Sequence, residues 1–178
     1  MVGQSTIHAE STMGEVLEAY PGARRALMGR YHIGGCSSCG FAPTDRLAEV
    51  LKRHNVLNSG EVIDHIVSSH EQEQRLQITP QDLAAALQRD AVRLLDVRTP
   101  EEQDIVMLPG GIRVTQRLVQ EMMSSWPKDT AIVTYCHTGL RSLDAASYFI
   151  GHGFTNVRSL AGGIDRWAVE IDPALPRY

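Results

Sequence analysis

Tyr135-Cys136-His137-Thr138-Gly139-Leu140-Arg141-Ser142 is the stretch on which the reading of this chain turns. Just before it, Ala131-Ile132-Val133-Thr134-Tyr135 is short, apolar and β-branched, the composition of a buried strand. Just after it, Leu140, Leu143, Ala146, Ser147 and Ile150 recur at helical spacing until Gly151 and Gly153 stop the helix. Cys136 is therefore expected in the turn between a strand and a helix. The first N–H groups of a helix lack internal partners and carry the positive end of its dipole, so a thiol placed there is biased toward the nucleophilic thiolate. Gly139 gives the loop the freedom to wrap around one sulfur atom, and Arg141 adds a fixed positive charge beside it. A cysteine that merely fills a core has no need of Gly, Arg and Ser at these offsets.

Outward from this loop, strands and helices alternate. Helical patterns cover 80–89, 100–106, 115–126 and 162–170, and strand patterns cover 92–97, 112–114 and 156–160. Such alternation predicts an α/β domain with a mostly parallel sheet covered by helices on both faces, its catalytic loops at the carboxyl ends of the strands. Asp96 and Arg98 fall at the end of strand 92–97, near the same sheet edge as Cys136. They read as an ion pair that staples a loop in preference to a substrate contact. Thr99 and Glu102 form a capping box around Pro100, and Gly162, Gly163 and Trp167 read as turn and core positions, all structural.

The first 75 residues look different, and a smaller all-α domain is expected there, with the α/β domain spanning 76–178. Thr12 and Glu15 make a capping box for a helix bearing Val16, Leu17 and Tyr20. Pro21 ends that helix and opens a second one running toward Tyr31. Pro43 and Thr44 are expected to start a third helix with Leu47, Val50 and Leu51, and Asn58 to Glu61 a fourth with Val62, Ile63, Ile66 and Val67. Residues 69–77, polar except for Leu76, read as a solvated helix end and linker.

Composition narrows the function classes. The chain has 178 residues and a net charge of −4, and its 17 Lys and Arg are dispersed, so the basic footprint of a nucleic-acid binder is missing. No stretch approaches the roughly 18 apolar residues of a membrane span, and residues 1–10 have neither the basic nor the apolar region of a secretory signal. A cytoplasmic protein with no membrane partner is expected. In a reducing compartment, three cysteines are reactive or metal-binding more often than they form a disulfide framework.

Cys36-Ser37-Ser38-Cys39 admits several chemistries. The spacing suits a dithiol that could exchange electrons or relay sulfur from Cys136. A tetrahedral metal would need two more ligands; His32 and His54 are near but lack finger spacing, so no metal and no cofactor are assigned. Two chains could instead pool their cysteine pairs across a homodimer, and inert turn cysteines are the third reading. His65, His70 and His152 are expected on the surface.

Cys136-x-x-Gly139-x-Arg141-Ser142 resembles the active-site loop of single-domain rhodaneses, sulfurtransferases that carry a persulfide on that cysteine. Three further segments fit the same signatures in order and spacing: Leu95-Asp96-Val97-Arg98-Thr99-Pro100-Glu101-Glu102, Leu108-Pro109-Gly110-Gly111 and Leu160-Ala161-Gly162-Gly163-Ile164-Asp165-Arg166-Trp167. The resemblance covers roughly residues 76–178. It implies that Cys136 accepts sulfur from a small donor and passes it to a thiol, cyanide or a protein acceptor. It also implies that the backbone N–H groups of His137, Thr138, Gly139, Leu140 and Arg141 hold the charged sulfur. A thiolate so held needs no general base, so the His137 side chain reads as an exposed loop residue that tunes substrate preference. Related phosphatases and arsenate reductases use a loop one residue longer, so the span from Cys136 to Arg141 favours sulfur. A non-enzymatic binding module on the same fold is the remaining alternative, disfavoured by the intact Cys136 and Gly139.

In the N-terminal half, Tyr20-Pro21-Gly22-Ala23-Arg24-Arg25, Gly34 to Phe41 and Leu47-Ala48-Glu49-Val50 resemble a small helical Cys-x-x-Cys domain found beside hybrid-cluster proteins. That likeness implies a fold and little chemistry.

Overall fold

The computed structural model of this protein describes residues 7–34 and 40–178 and divides the chain into two compact units, Met1–Arg75 and Leu76–Tyr178. Cys36 and Cys39 lie outside the described residues.

The described part of the first unit is helical: α1 (Met13–Ala19), α2 (Ala23–Tyr31), α3 (Leu47–Arg53) and α4 (Ser59–Arg75). The Thr12–Glu15 capping box opens α1, each side chain bonding the other residue's backbone N–H. Met13, Val16, Leu27, Ile33, Leu47, Val50, Val62 and Ile66 pack into one core. An isolated antiparallel bridge joins Thr12 to Arg46. Three expectations need correction here. Helix α3 begins at Leu47, because residues 43–45 form a turn in which Asp45 accepts from the Ala42 N–H. Residues 69–75 are the helix end that was expected, with Glu73 held by Arg25 at 2.8 Å, but Gln77 belongs to a strand and not to a linker. His65 and His70 are half-buried, edge-on to Tyr31 and Tyr20, and His65 Nε2 lies 3.2 Å from the Ala26 carbonyl.

The second unit runs β1 (Gln77–Ile78), α5 (Pro80–Gln88), β2 (Arg93–Asp96), α6 (Pro100–Ile105), β3 (Gly111–Arg113), α7 (Gln116–Ser125), β4 (Ile132–Tyr135), α8 (Leu140–Gly151), β5 (Val157–Leu160) and α9 (Gly163–Glu170). The strands form one parallel sheet in the order β1-β5-β4-β2-β3. Alternation along each strand divides the core. Leu94, Val133, Tyr135 and Leu160 pack with Leu83 of α5 and with Ile164 and Trp167 of α9. Leu95, Ile132 and Val157 pack with Met122 of α7 and with Ala146 and Phe149 of α8. Both faces are covered, as an all-parallel sheet requires, and each fully buried Leu or Ile contributes roughly 1.5–3 kcal/mol. Gln77 thus belongs to an edge strand, held by the Ser159 N–H bonding the Leu76 carbonyl at 2.7 Å.

This topology positions the cysteine. From β2 the chain first adds β3 on one side and then β4 on the other, so the connections diverge beyond the carboxyl ends of β2 and β4. A crevice at such a switch point is where open α/β sheets bind ligands. Cys136 follows β4 there, and Asp96 closes β2 beside it.

Candidate active site

Tyr135 and Cys136 leave the sheet fully buried, at 0% and 1% exposure. Gly139 then adopts φ +94° as the N-cap of α8, a left-handed conformation in which a Cβ would stand 3.0 Å from the Gly162 nitrogen. That reversal turns backbone donors onto the sulfur: Cys136 Sγ accepts from Gly139 N–H at 3.2 Å and Ser142 N–H at 3.4 Å, with Ser142 Oγ at 3.5 Å. The loop carbonyls face the other way. Ile164 N–H donates to the Cys136 carbonyl at 2.9 Å and Asp165 N–H to the His137 carbonyl at 3.1 Å, so the unpaired first-turn donors of α9 hold them. Gly163 permits that approach, since a Cβ there would collide with both carbonyl oxygens. Its role is thus closer to the site than the turn and core reading allowed.

Ser142 is anchored from behind. Ser159 Oγ donates to Ser142 Oγ at 2.8 Å, and Thr134 Oγ1 donates to the Ser142 carbonyl at 2.8 Å; all three residues are fully buried. Helix α8 buries Ser142, Leu143, Ala146 and Phe149. Leu140, Ser147 and Ile150, expected on that apolar side, are exposed instead.

The sequence reading gave Arg141 as a fixed charge beside the thiol and Glu102 as a helix cap only. In the structure they are partners. Glu102 Oε1 and Oε2 accept from Arg141 Nη2 and Nη1 at 2.6 and 2.7 Å, while Glu102 still accepts from the Thr99 N–H at 3.0 Å. Arg141 pulls the Glu102 carboxyl down to about 2, and Glu102 in turn raises the Arg141 guanidinium further.

Asp96 and Arg98 pair at 2.6 Å with neither side chain exposed. Arg98 also donates to the Val106 carbonyl at 2.6 Å and to Tyr178 Oη at 2.6 Å. Burial alone would depress the guanidinium; the bonds to Asp96 and Tyr178 outweigh it and keep the charge. Burial pushes the neighbouring Tyr135 phenol up, so it stays neutral and accepts from the Leu108 N–H at 3.2 Å. His137 is half-buried, stacked on Tyr178 with centroids 4.5 Å apart, rather than an exposed loop side chain. Thr138 and Leu140 are exposed. Among the described residues no group of His, Cys, Asp and Glu is placed to hold a metal, and no helix is long and apolar enough to cross a membrane.

A parallel sheet with a cysteine loop at its switch point can be set against known proteins. Residues 79–170 match the family described as Rhodanese-like domain. The chain belongs to that family. A sulfurtransferase of Allochromatium vinosum is 40% identical over 77 residues, covering 43% of this chain and 72% of the relative. The thiosulfate sulfurtransferase GlpE of Pseudomonas syringae pv. syringae is 30% identical over 88 residues, covering 49% of this chain and 83% of the relative. In fold alone, the chain is similar to reduced Bacillus anthracis CoADR-RHD, with a TM-score of 0.51 and 16% identity over 92% of this chain and 27% of that one. The family match over residues 79–170 and the two sulfurtransferase relatives support a rhodanese-type sulfurtransferase.

Glu102, Ser142, Ser159, Gly163 and Tyr178 are the site neighbours that the sequence reading did not count as such. Only Ser142 had a usable signal, standing in the loop motif itself; the others meet the loop from 17 or more positions away in the chain, through tertiary packing.

Proposed function

We propose that Cys136 is the sulfur carrier of this enzyme. Its thiolate attacks the outer sulfur of a donor. With thiosulfate, a Cys136–S bond forms, the donor's S–S bond breaks, and the electron pair leaves with sulfite. With an organic persulfide, the leaving group is the thiolate. The Cys136 persulfide then gives its outer sulfur to an acceptor: cyanide leaves as thiocyanate, a thiol leaves as a persulfide, and Cys136 returns as the thiolate. No external base is required once the thiolate is stabilised by the loop. The observation that carries this reading is the convergence of Gly139 N–H, Ser142 N–H and Ser142 Oγ on one sulfur. The same donors suit the negative charge of the thiolate and, with the amides of residues 137–141, of the persulfide.

Around this centre, Asp96 and Arg98 act as scaffold and His137 as a rim residue shaping donor choice. Residues 1–75 are read as a separate helical Cys-x-x-Cys domain whose Cys36 and Cys39 take sulfur from Cys136, one thiol resolving the other's persulfide to a disulfide with release of sulfide. The spacing of the two cysteines supports that relay. The protein is read as cytoplasmic, where such thiols stay reduced.

The test is intact mass with peptide mapping. Wild-type protein incubated with thiosulfate or an alkyl persulfide gains one sulfur on the Cys136 peptide, cyanide removes it, and Cys136→Ser gains none there. Absence of labelling by both donors rejects the assignment. Acceptor turnover unaltered by replacing both Cys36 and Cys39 with Ser removes the relay.

A further inference from the structure

We propose that Glu102 determines the charge of the sulfur donor: by neutralising Arg141, it fits the site to uncharged or singly charged organic persulfides in preference to dianionic thiosulfate. The inference rests on Cys136 as sulfur carrier and deepens that reading.

Arg141 is the only Lys or Arg between Cys136 and Ser142, and it directly precedes the serine whose N–H and hydroxyl touch Sγ. Left free, its guanidinium would be the natural partner for a dianion arriving at the sulfur. It is engaged instead. Glu102 meets it end-on, its two carboxylate oxygens accepting from Nη2 and Nη1 at 2.6 and 2.7 Å, a bidentate charge-assisted geometry. The carboxylate does not reach it by chance rotation. The capping box fixes Glu102 in the first turn of α6, and Tyr178 Oη adds a third contact at 3.3 Å.

The surroundings do not restore the lost charge. Segment 162–166 packs against the loop through Gly162, Gly163, Ile164 and Asp165. There Arg166 is paired with Glu170 at 2.6 Å, and Arg177 with Asp165 at 2.9 Å. Arg98 is sealed against Asp96. Four guanidinium groups around the loop therefore face four carboxylates. A dianion entering there gives up hydration without meeting an unmatched cation among them, whereas a donor of low charge loses little. Leu140, 52% exposed beside Arg141, offers apolar contact to the organic group of such a donor.

The experiment compares kcat/KM for thiosulfate and for an alkyl persulfide with an uncharged alkyl group. Glu102→Gln retains an oxygen able to accept from the Thr99 N–H while removing the negative charge. The thiosulfate-to-persulfide ratio is expected to rise about tenfold in Glu102→Gln, the effect of one unmasked charge near a dianion. It falls back toward the wild-type value when Arg141→Gln is added. A ratio within twofold of wild type in Glu102→Gln overturns the proposal. A second readout needs only the wild-type protein: thiosulfate kcat/KM stays flat or rises with ionic strength if the mouth is neutral, and a steep fall shows an unmatched positive charge and overturns it. Wild-type protein that takes sulfur from neither donor overturns the carrier assignment and this inference together. Labelling of Cys136 with an unmoved ratio overturns this inference alone.

Discussion

Two arginine–carboxylate pairs stand near the carboxyl end of the sheet, made of the same groups yet placed in different media. Asp96–Arg98 is sealed, with both side chains at 0% exposure. Glu102–Arg141 lies at the surface, its side chains 18% and 45% exposed. In the sealed pair every group is spoken for: Arg98 Nε and Nη2 bind the carboxylate, and the remaining donors reach Val106, Tyr178 and the Glu102 carbonyl. Water cannot replace any of these, so the pair is scaffold. At the open pair water can substitute for either partner, so its contribution to stability is small and its effect lies in the charge that Glu102 cancels beside the site.

The largest effect that could break this contrast comes from Asp96→Asn. It preserves side-chain volume but leaves the Arg98 charge buried without its counter-charge, which should cost about 3–5 kcal/mol, read from the urea unfolding midpoint of the second unit. Glu102→Gln should cost less than about 1 kcal/mol on the same measurement. Equal losses would mean that burial does not separate the two pairs.

The contrast also marks where sequence reading succeeds. The Cys136 loop was legible because its determinants are local: a β-branched strand before it, a glycine that can take positive φ within it, a helix after it. The alternation of strands and helices was legible for the same reason. β1 was not, because Gln77 and Ile78 carry no period of their own; they are a strand only because β5 offers them an unpaired edge. Glu102 was half legible. Its cap to Thr99 spans three residues and follows a known pattern, whereas its partner Arg141 lies 39 residues away. The apolar stripe of α8 was mistaken at Leu140, Ser147 and Ile150, since the helical period alone does not say which of two overlapping faces meets the sheet.

A sealed group can also serve the open site. Ser159 is fully buried and donates its one hydroxyl proton to Ser142 Oγ. The proton of Ser142 then has two acceptors, the Gly139 carbonyl at 3.1 Å and Cys136 Sγ at 3.5 Å. Donation from Ser159 polarises that hydroxyl and fixes its oxygen beside the sulfur. Ser159→Ala should therefore slow alkylation of Cys136 by iodoacetamide at pH 7 by about two- to fivefold, with about 1 kcal/mol lost in stability. If Ser142→Ala slows alkylation and Ser159→Ala does not, Ser159 only fills the strand.

The smallest expected effect concerns acid. Arg141 holds the Glu102 carboxyl at about 2, below the 4.5 it has when unpaired. A carboxyl with a lowered folded value contributes stability in full above its unfolded value, and that contribution is lost as the pH falls from about 4.5 through about 2. The guanidinium stays charged throughout, so the change belongs to Glu102. The stability difference between wild type and Glu102→Gln should consequently be constant above pH 5 and shrink toward pH 2, by less than about 1 kcal/mol because Arg141 is half exposed and screened. Added salt should diminish it further. A difference that keeps its size down to pH 2 would mean that the pair does not persist in solution, and Arg141 would then be free to meet a dianionic donor at the sulfur.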